Sequence, residues 1–415
     1  MKRTLAFGGL VATAGLLAAG LAVPAQAAPD VATASMASTG IAAKNVAAFW
    51  LAEDAANLIA ATPYAVETKP VTTKLVSKGG PAPDSKPGVV PAIGDEKKTV
   101  AKSKNVNLPK TTGKVFFADG VKNVGTEKDP KWQAVNPHWC SATSVQSAYK
   151  NLVATAGHCV YDTESNKATL NYWAFVPGYY QGRTPWGVYV GKQAFTHYDY
   201  DVYEDADRDY AFVTVYNGVK VNGGMTNPED RNFPVSSTEV SKLDYESYEK
   251  NAPALLAGTK TDDKGNVHYY VWKLQDVGAL GANVGGQGIA YNQKVGKPVY
   301  VFGYPSGSHP DGNYAFSGQT LKWTYGKTFP VQVPSIKGEE LIGTKSSFTG
   351  EGALGSSWLV NYSSGRRLGY LNGVTIGVSD TDGNNRIDTS FSPYFDGELY
   401  GVYSAAKNLW SGSIA

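Results

Sequence analysis

The sequence predicts an all-β protein, a barrel or sandwich of short strands closed by one helix, on three observations. Aromatic or β-branched runs recur at 114–118 (KVFFA), 172–176 (YWAFV), 187–190 (GVYV), 210–215 (YAFVTV) and 299–302 (VYVF). Gly, Pro, Asn or Asp punctuates between them without helical periods, the pattern of short strands joined by tight turns. The 46 glycines and 26 tyrosines among 415 residues favour the same architecture. A helical period appears at the end of the chain, where Leu399, Val402, Tyr403, Ala406 and Leu409 share one face and Asp396 or Gly397 is placed to start it.

In chain order, residues 1–27 read as a secretory signal. Lys2 and Arg3 form its positive end, 5–23 its small apolar stretch, and Ala25-Gln26-Ala27 its cleavage site. Residues 28–112 differ in composition from the rest of the chain and read as a propeptide and linker. A helix is expected over 45–61, with Val46, Phe49, Trp50, Leu51 and Leu58 on its apolar face. The Lys-, Thr-, Pro- and Val-rich 62–110 carries Pro81, Pro83, Pro87 and Pro91, which argue against regular structure there. Residues 113–415 form the strand-rich domain. No internal repeat of fixed period is present. Nothing beyond the N-terminus is long and apolar enough to cross a membrane. The net charge of +2 gives no reason to expect nucleic acid.

Cys140 and Cys159 are the only cysteines. In an exported chain such a pair reads as a disulfide, and two thiols are too few for structural zinc. Cys159 ends the phrase Thr155-Ala156-Gly157-His158-Cys159, which follows the apolar Leu152, Val153 and Ala154. A histidine beside a disulfide at a strand end is the local chemistry of a general base. Through Ala156-Gly157-His158-Cys159 the chain resembles the trypsin-like serine peptidases, their secreted bacterial branch in particular, over roughly 113–410. The resemblance implies two six-stranded antiparallel β-barrels of the chymotrypsin type followed by a C-terminal helix. It sets Cys140 and Cys159 on facing strands, with Cα atoms roughly 5–6 Å apart if bonded.

The same resemblance gives the site. His158 is the base, and Asp209, followed by the apolar Tyr210-Ala211-Phe212-Val213, is the acid, expected within about 3 Å of His158 Nδ1. The competitors Asp201, Asp205 and Asp207 lie in an acidic, turn-like run where solvation is expected. The nucleophile breaks the pattern. Relatives carry Gly-x-Ser-Gly-Gly-Pro, often followed by Trp, whereas this chain has Gly352-Ala353-Leu354-Gly355-Ser356-Ser357-Trp358. That register puts Leu354 at the serine position, and a leucine has neither proton to give nor lone pair to attack with. The backbone N–H groups of Gly352 and Leu354 remain as the oxyanion hole. Ala353 removes the aspartate with which eukaryotic trypsins bind a new N-terminus. Cysteines that relatives pair near Phe316 and Ser346 are missing too. Ser356 is the alternative nucleophile, two residues downstream and about 7 Å along an extended chain.

Gly303-Tyr304-Pro305 reads as a structural corner, with Ser306 and Ser308 as loop residues. His138, His197, His268 and His309 are scattered without metal-ligand spacing. Asp380, Asp382 and Asp388 hint at calcium but miss the EF-hand register, and a solvated turn is the preferred reading. Neither cofactor nor metal is expected. The expected protein is a secreted, extracellular, monomeric peptidase homologue, inactive through Leu354 and acting as a binder of a protein or peptide. The alternative is an active serine endopeptidase using His158, Asp209 and Ser356.

Overall fold

The computed structural model describes residues 30–65, 80–94, 106–125, 132–163, 168–221, 237–251 and 257–415. Residues 1–27, expected to be a secretory signal, therefore lie outside the described residues. Strand β1 (Val31–Ser35) and helix α1 (Gly40–Ala60) come first, then the short strands β2 (Thr62–Pro63) and β3 (Gly88–Val90). Helix α1 begins earlier than its apolar period suggests because Thr39 Oγ1 accepts the Ala42 N–H and caps it.

Six strands make the first barrel: β4 (Thr112–Phe117), β5 (His138–Val145), β6 (Leu152–Thr155), β7 (Ala174–Pro177), β8 (Tyr189–His197) and β9 (Ala211–Val215). Their order is β8-β9-β6-β5-β4-β7, and β7 pairs back onto β8, closing the ring. Period-two alternation divides the side chains. Val115 and Phe117 join Val153, Phe175 and Val213 in the inner core. Phe116 faces outward onto Phe49 and Trp50 of α1. Burial of Phe49 and Trp50 stabilises this docking by about 3 kcal/mol each before entropy is counted. Outside the ring, β1 lies antiparallel to β8 and β2 parallel to β5. Short helix α2 (Tyr198–Tyr203) follows β8.

A three-stranded sheet (Ser237–Val240, Ala257–Thr261, Val267–Trp272) with α3 (Lys242–Asn251) follows the barrel in the chain, and α4 (Leu280–Val284) leads into the second half. The polar α3 has no apolar face to reveal it, and its Leu243 is 76% exposed. The second half contains β10 (Gly288–Tyr291), β11 (Pro298–Gly303), β12 (Lys322–Lys327), β13 (Phe329–Val333), β14 (Gly338–Lys345), β15 (Ser357–Ser363), β16 (Leu368–Val374) and β17 (Thr389–Pro393). One sheet runs β12-β11-β15-β16-β10-β3, and another joins β13, β14 and β17. Thr328 links β12 to β13. On the far side the Val374 N–H donates to Ser392 Oγ at 2.9 Å and the Ile376 N–H to the Phe391 carbonyl at 3.0 Å. The two sheets thereby surround a second core of Val299, Val301, Ile342, Trp358 and Val360. The opposite faces, with Phe302, Leu359 and Leu371, pack into the first barrel's cluster. Helix α5 (Gly397–Ala406) closes the fold across β8 and β9, capped by Asp396, whose Oδ1 accepts the Glu398 and Leu399 N–H groups.

The all-β architecture with its closing helix agrees with the sequence. Two expectations need correction. Residues 62–110 were expected to lack regular structure, yet β2 and β3 add to sheet edges. An edge strand needs no hydrophobic period and tolerates a proline such as Pro63. Leu409 lies beyond the end of α5 and is 38% exposed.

Candidate active site

Strand β5 carries Cys140 and the turn after β6, Gly157–Cys159, carries its partner. The disulfide is formed, with Cα atoms 6.2 Å apart, just outside the expected spacing. Trp173 Nε1 donates to the Cys159 carbonyl at 2.9 Å, fixing the turn from the residue just before β7. His158, fully buried, is held at two points: its N–H donates to Asp209 Oδ1 at 3.0 Å and its Nδ1 lies 2.6 Å from Asp209 Oδ2. A carboxylate acceptor places the ring proton on Nδ1 and leaves Nε2 as the basic nitrogen. Gly157 is required beside it, because a Cβ there would come within 2.9 Å of Asp209 Oδ1 and 2.5 Å of the Tyr200 ring. Asp209 is 3% exposed and follows the single turn Ala206–Arg208 into β9.

The 350–356 turn is fastened to the first barrel by Ser141, the residue after Cys140. The Ser141 N–H donates to the Leu354 carbonyl at 2.8 Å, and its Oγ donates to the Gly352 carbonyl at 2.8 Å. Ser141 Oγ also accepts the Tyr304 N–H at 2.9 Å, and the Ser141 carbonyl accepts Thr155 Oγ1 at 2.8 Å. Leu354 is thus connected to His158 through Ser141, the disulfide and the Gly157–Cys159 turn. Gly352 and Gly355 have φ of +67° and +77°, and a Cβ at Gly355 would strike the Ser141 carbonyl. Leu354 is fully buried in the shared core. Ser356 is also fully buried, and its hydroxyl donates to the Ala353 carbonyl at 2.5 Å, within its own turn. A histidine–carboxylate pair moves a proton when a hydroxyl is presented to it, and an isobutyl group presents none.

Two neighbours were not singled out in the sequence. Tyr64, just after β2, is 6% exposed with its ring stacked over His158 at 6.3 Å and 23°. Its N–H donates to the Trp139 carbonyl at 2.9 Å, and its carbonyl accepts the Gly352 N–H at 3.4 Å. Lys114, an outward position of β4, is 1% exposed in a box of aromatic rings. Its Nζ lies 3.3 Å from the Trp139 ring centre, 4.1 Å from Tyr179, 5.5 Å from Tyr304 and 5.9 Å from Phe116. Burial pushes its pKa well below the usual lysine value. No motif marks either residue, because their partners come from distant strands.

The remaining sequence candidates are placed elsewhere. Asp201 and Asp205 are half-buried, and Asp205 caps the Ala206–Arg208 turn by accepting the Asp207 N–H. Asp207 departs from its expected solvation: it is 6% exposed and accepts the Glu339 and Glu340 N–H groups of β14 at 2.8–3.0 Å. Burial raises its pKa to about 6 against the pull of those N–H groups. His138 meets Thr62 and His268 lies between Glu239 and Asp262. His197 Nδ1 accepts the Asp199 N–H, and His309 Nδ1 accepts the Ile387 N–H. They share no centre, and no metal-binding group of three occurs among the described residues. Asp380, 3% exposed rather than solvated, accepts the Gly383, Asn384 and Asn385 N–H groups, while Asp388 pairs with Lys345. Tyr304 is buried at its corner with its hydroxyl on the Tyr179 carbonyl. Ser306 is also buried, in a two-residue strand rather than a loop. Near the missing cysteine pair, Phe316 and Phe348 meet edge to face at 5.6 Å.

No family model and no curated protein matches the chain. Among solved structures it is similar to the protease Anisep of Arthrobacter nicotinovorans, at 21% identity over 72% of this chain and 97% of that one, with a TM-score of 0.46. A thermostable serine protease AL20 from an extremophilic microorganism gives 21% identity, the same coverages and a TM-score of 0.45. A Glu endopeptidase gives 14% identity over 75% of this chain and 98% of that one, with a TM-score of 0.38.

Proposed function

We propose that the protein is a secreted trypsin-like serine peptidase homologue without peptidase activity, which binds a peptide or protein segment at the His158 site. The carrying observation is Leu354. It lies between two left-handed glycines in a turn bonded to Ser141, which follows the cysteine cross-linked to the His158 turn, and His158 keeps its bond to Asp209. Base and acid are in place while the group they would act on is hydrocarbon. The alternative nucleophile is less favoured, because the Ser356 hydroxyl is buried and bonded to Ala353. Export is supported by the leader pattern and the disulfide. No helix among the described residues is long and apolar enough to cross a membrane. We read 28–112 as a pro-segment preceding the domain at 113–415, with its described parts docked through β1 and α1.

The test is labelling of the purified full chain with a fluorophosphonate, followed by peptide mapping. No adduct is expected. An adduct on Ser356, lost together with peptide hydrolysis in Ser356→Ala, would overturn the reading. It would show that the register built on Trp358 is wrong.

A further inference from the structure

Residues 62–65 leave α1 and cross the candidate site, making the contacts of a bound extended peptide. Main-chain pairing comes first: the Thr62 N–H donates to the Pro137 carbonyl and the Tyr64 N–H to the Trp139 carbonyl, both at 2.9 Å, with Thr62 and Pro63 parallel to His138 and Trp139. One side chain is then buried, because the Tyr64 ring meets His158 at 6.3 Å, Phe117 at 5.1 Å and His138 at 5.7 Å. Third, the Tyr64 carbonyl receives the Gly352 N–H at 3.4 Å, from the turn that holds Leu354. Strand addition with one side chain in a pocket is a recurring way of recognising a peptide, the backbone giving affinity and the pocket specificity. The contact to Gly352 is at the long limit of a hydrogen bond, so β5 and the ring pocket do most of the holding. Helix α1 is anchored separately through Phe49 and Trp50, so this crossing can lift without undocking the helix.

We infer that residues 62–65 are a built-in occupant of the groove between β5 and the 350–356 turn. With this strap withdrawn, the groove takes an extended peptide carrying an aromatic side chain in the place of Tyr64. The inference rests on the peptide-binding reading above and adds its ligand class and its control. The strap's own sequence, Thr62-Pro63-Tyr64-Ala65, is the first approximation to the ligand.

The test uses the full chain and a fluorescein-labelled hexapeptide, Ala-Thr-Pro-Tyr-Ala-Val, read by fluorescence anisotropy. The unmodified protein is expected to ignore it. The Thr62→Gly/Tyr64→Ala double variant is expected to bind at least about ten-fold tighter, and a peptide with Ala for Tyr to lose at least about ten-fold. Equal binding by both proteins, equal binding of both peptides, or a folded double variant that binds neither would each overturn the inference. Should the double variant fail to fold, hydrogen exchange on the unmodified protein decides. The Tyr64 amide is expected to exchange at least about ten-fold faster than those of Val153 and Val213, by a local opening. Exchange in step with them makes the strap part of the core and ends the idea. Binding is blind to whether Leu354 abolishes catalysis. A fluorophosphonate adduct would therefore sink the proposed function while leaving the strap result standing.

Discussion

Replacing Leu354 with serine tests both halves of the site at once. The substitution removes three buried carbons, each worth about 0.8 kcal/mol of transfer free energy, for a sum of about 2.4 kcal/mol. Leu354 is fully buried and its backbone is fastened to Ser141, so the turn cannot collapse freely into the vacated space. A cavity term then raises the expected loss to about 3–4 kcal/mol, within the range for large-to-small core substitutions. Urea denaturation of Leu354→Ser with the disulfide intact should show this loss as a lower midpoint at unchanged slope. The same sample should react with a fluorophosphonate, slowly, because Ser356 and Ser357 leave the turn unlike that of an active relative. Adding Ser356→Gly and Ser357→Pro should quicken labelling if turn shape is the second defect. A loss under about 1 kcal/mol would mean that Leu354 does not fill the core as described. Faster labelling of the parent than of the variant would refute the assignment of its position.

Three further outcomes are expected. Cys140→Ala with Cys159→Ala should lower stability by about 3 kcal/mol in denaturant melts, the value for a closed loop of this size; no loss on reduction would contradict it. Lys114→Met should be more stable than the parent at neutral pH. The folded parent holds the amine below its unfolded pKa, so its stability rises with pH between the two values, and the variant's advantage should shrink towards about pH 10 in pH-resolved melts. Asp207 runs the other way. Its folded pKa of about 6 exceeds the unfolded value of about 3.9, so its contribution is full below about pH 4 and is lost as pH rises through about 6. Asp207→Asn should remove a falling component of at most about 3 kcal/mol across that window, and an unchanged pH profile would count against it.

What was legible in the sequence was whatever chemistry is local in it. His158, Cys159 and the residues after Asp209 are contiguous phrases, and each of the five β-branched or aromatic runs falls on a strand, although 187–190 marks only the start of β8 and no run pointed to β5, which carries Cys140. Asp207 was misplaced because its burial comes from β14, more than a hundred residues on. Nothing in the sequence marks Lys114 as buried, because its side of β4 is covered by aromatic residues from β5, from beyond β7 and from the corner after β11. Tyr64 sits in a proline-rich stretch with no period, and only closure of the fold brings it over His158. Ser141 carries no motif at all, yet it ties the two halves of the site together.

Strand β1 and helix α1 carry a consequence for processing. The first adds five residues of pairing to β8, and the second buries its aromatic face against the barrel. Cutting the backbone between Ala65 and Gly80 therefore changes connectivity without releasing mass. The two polypeptides remain a non-covalent heterodimer, one peak on a native sizing column and two bands on a denaturing gel. After such a cut, shedding the N-terminal piece would be a separate, slower event, because it must peel β1 from the edge of β8 and α1 from the barrel.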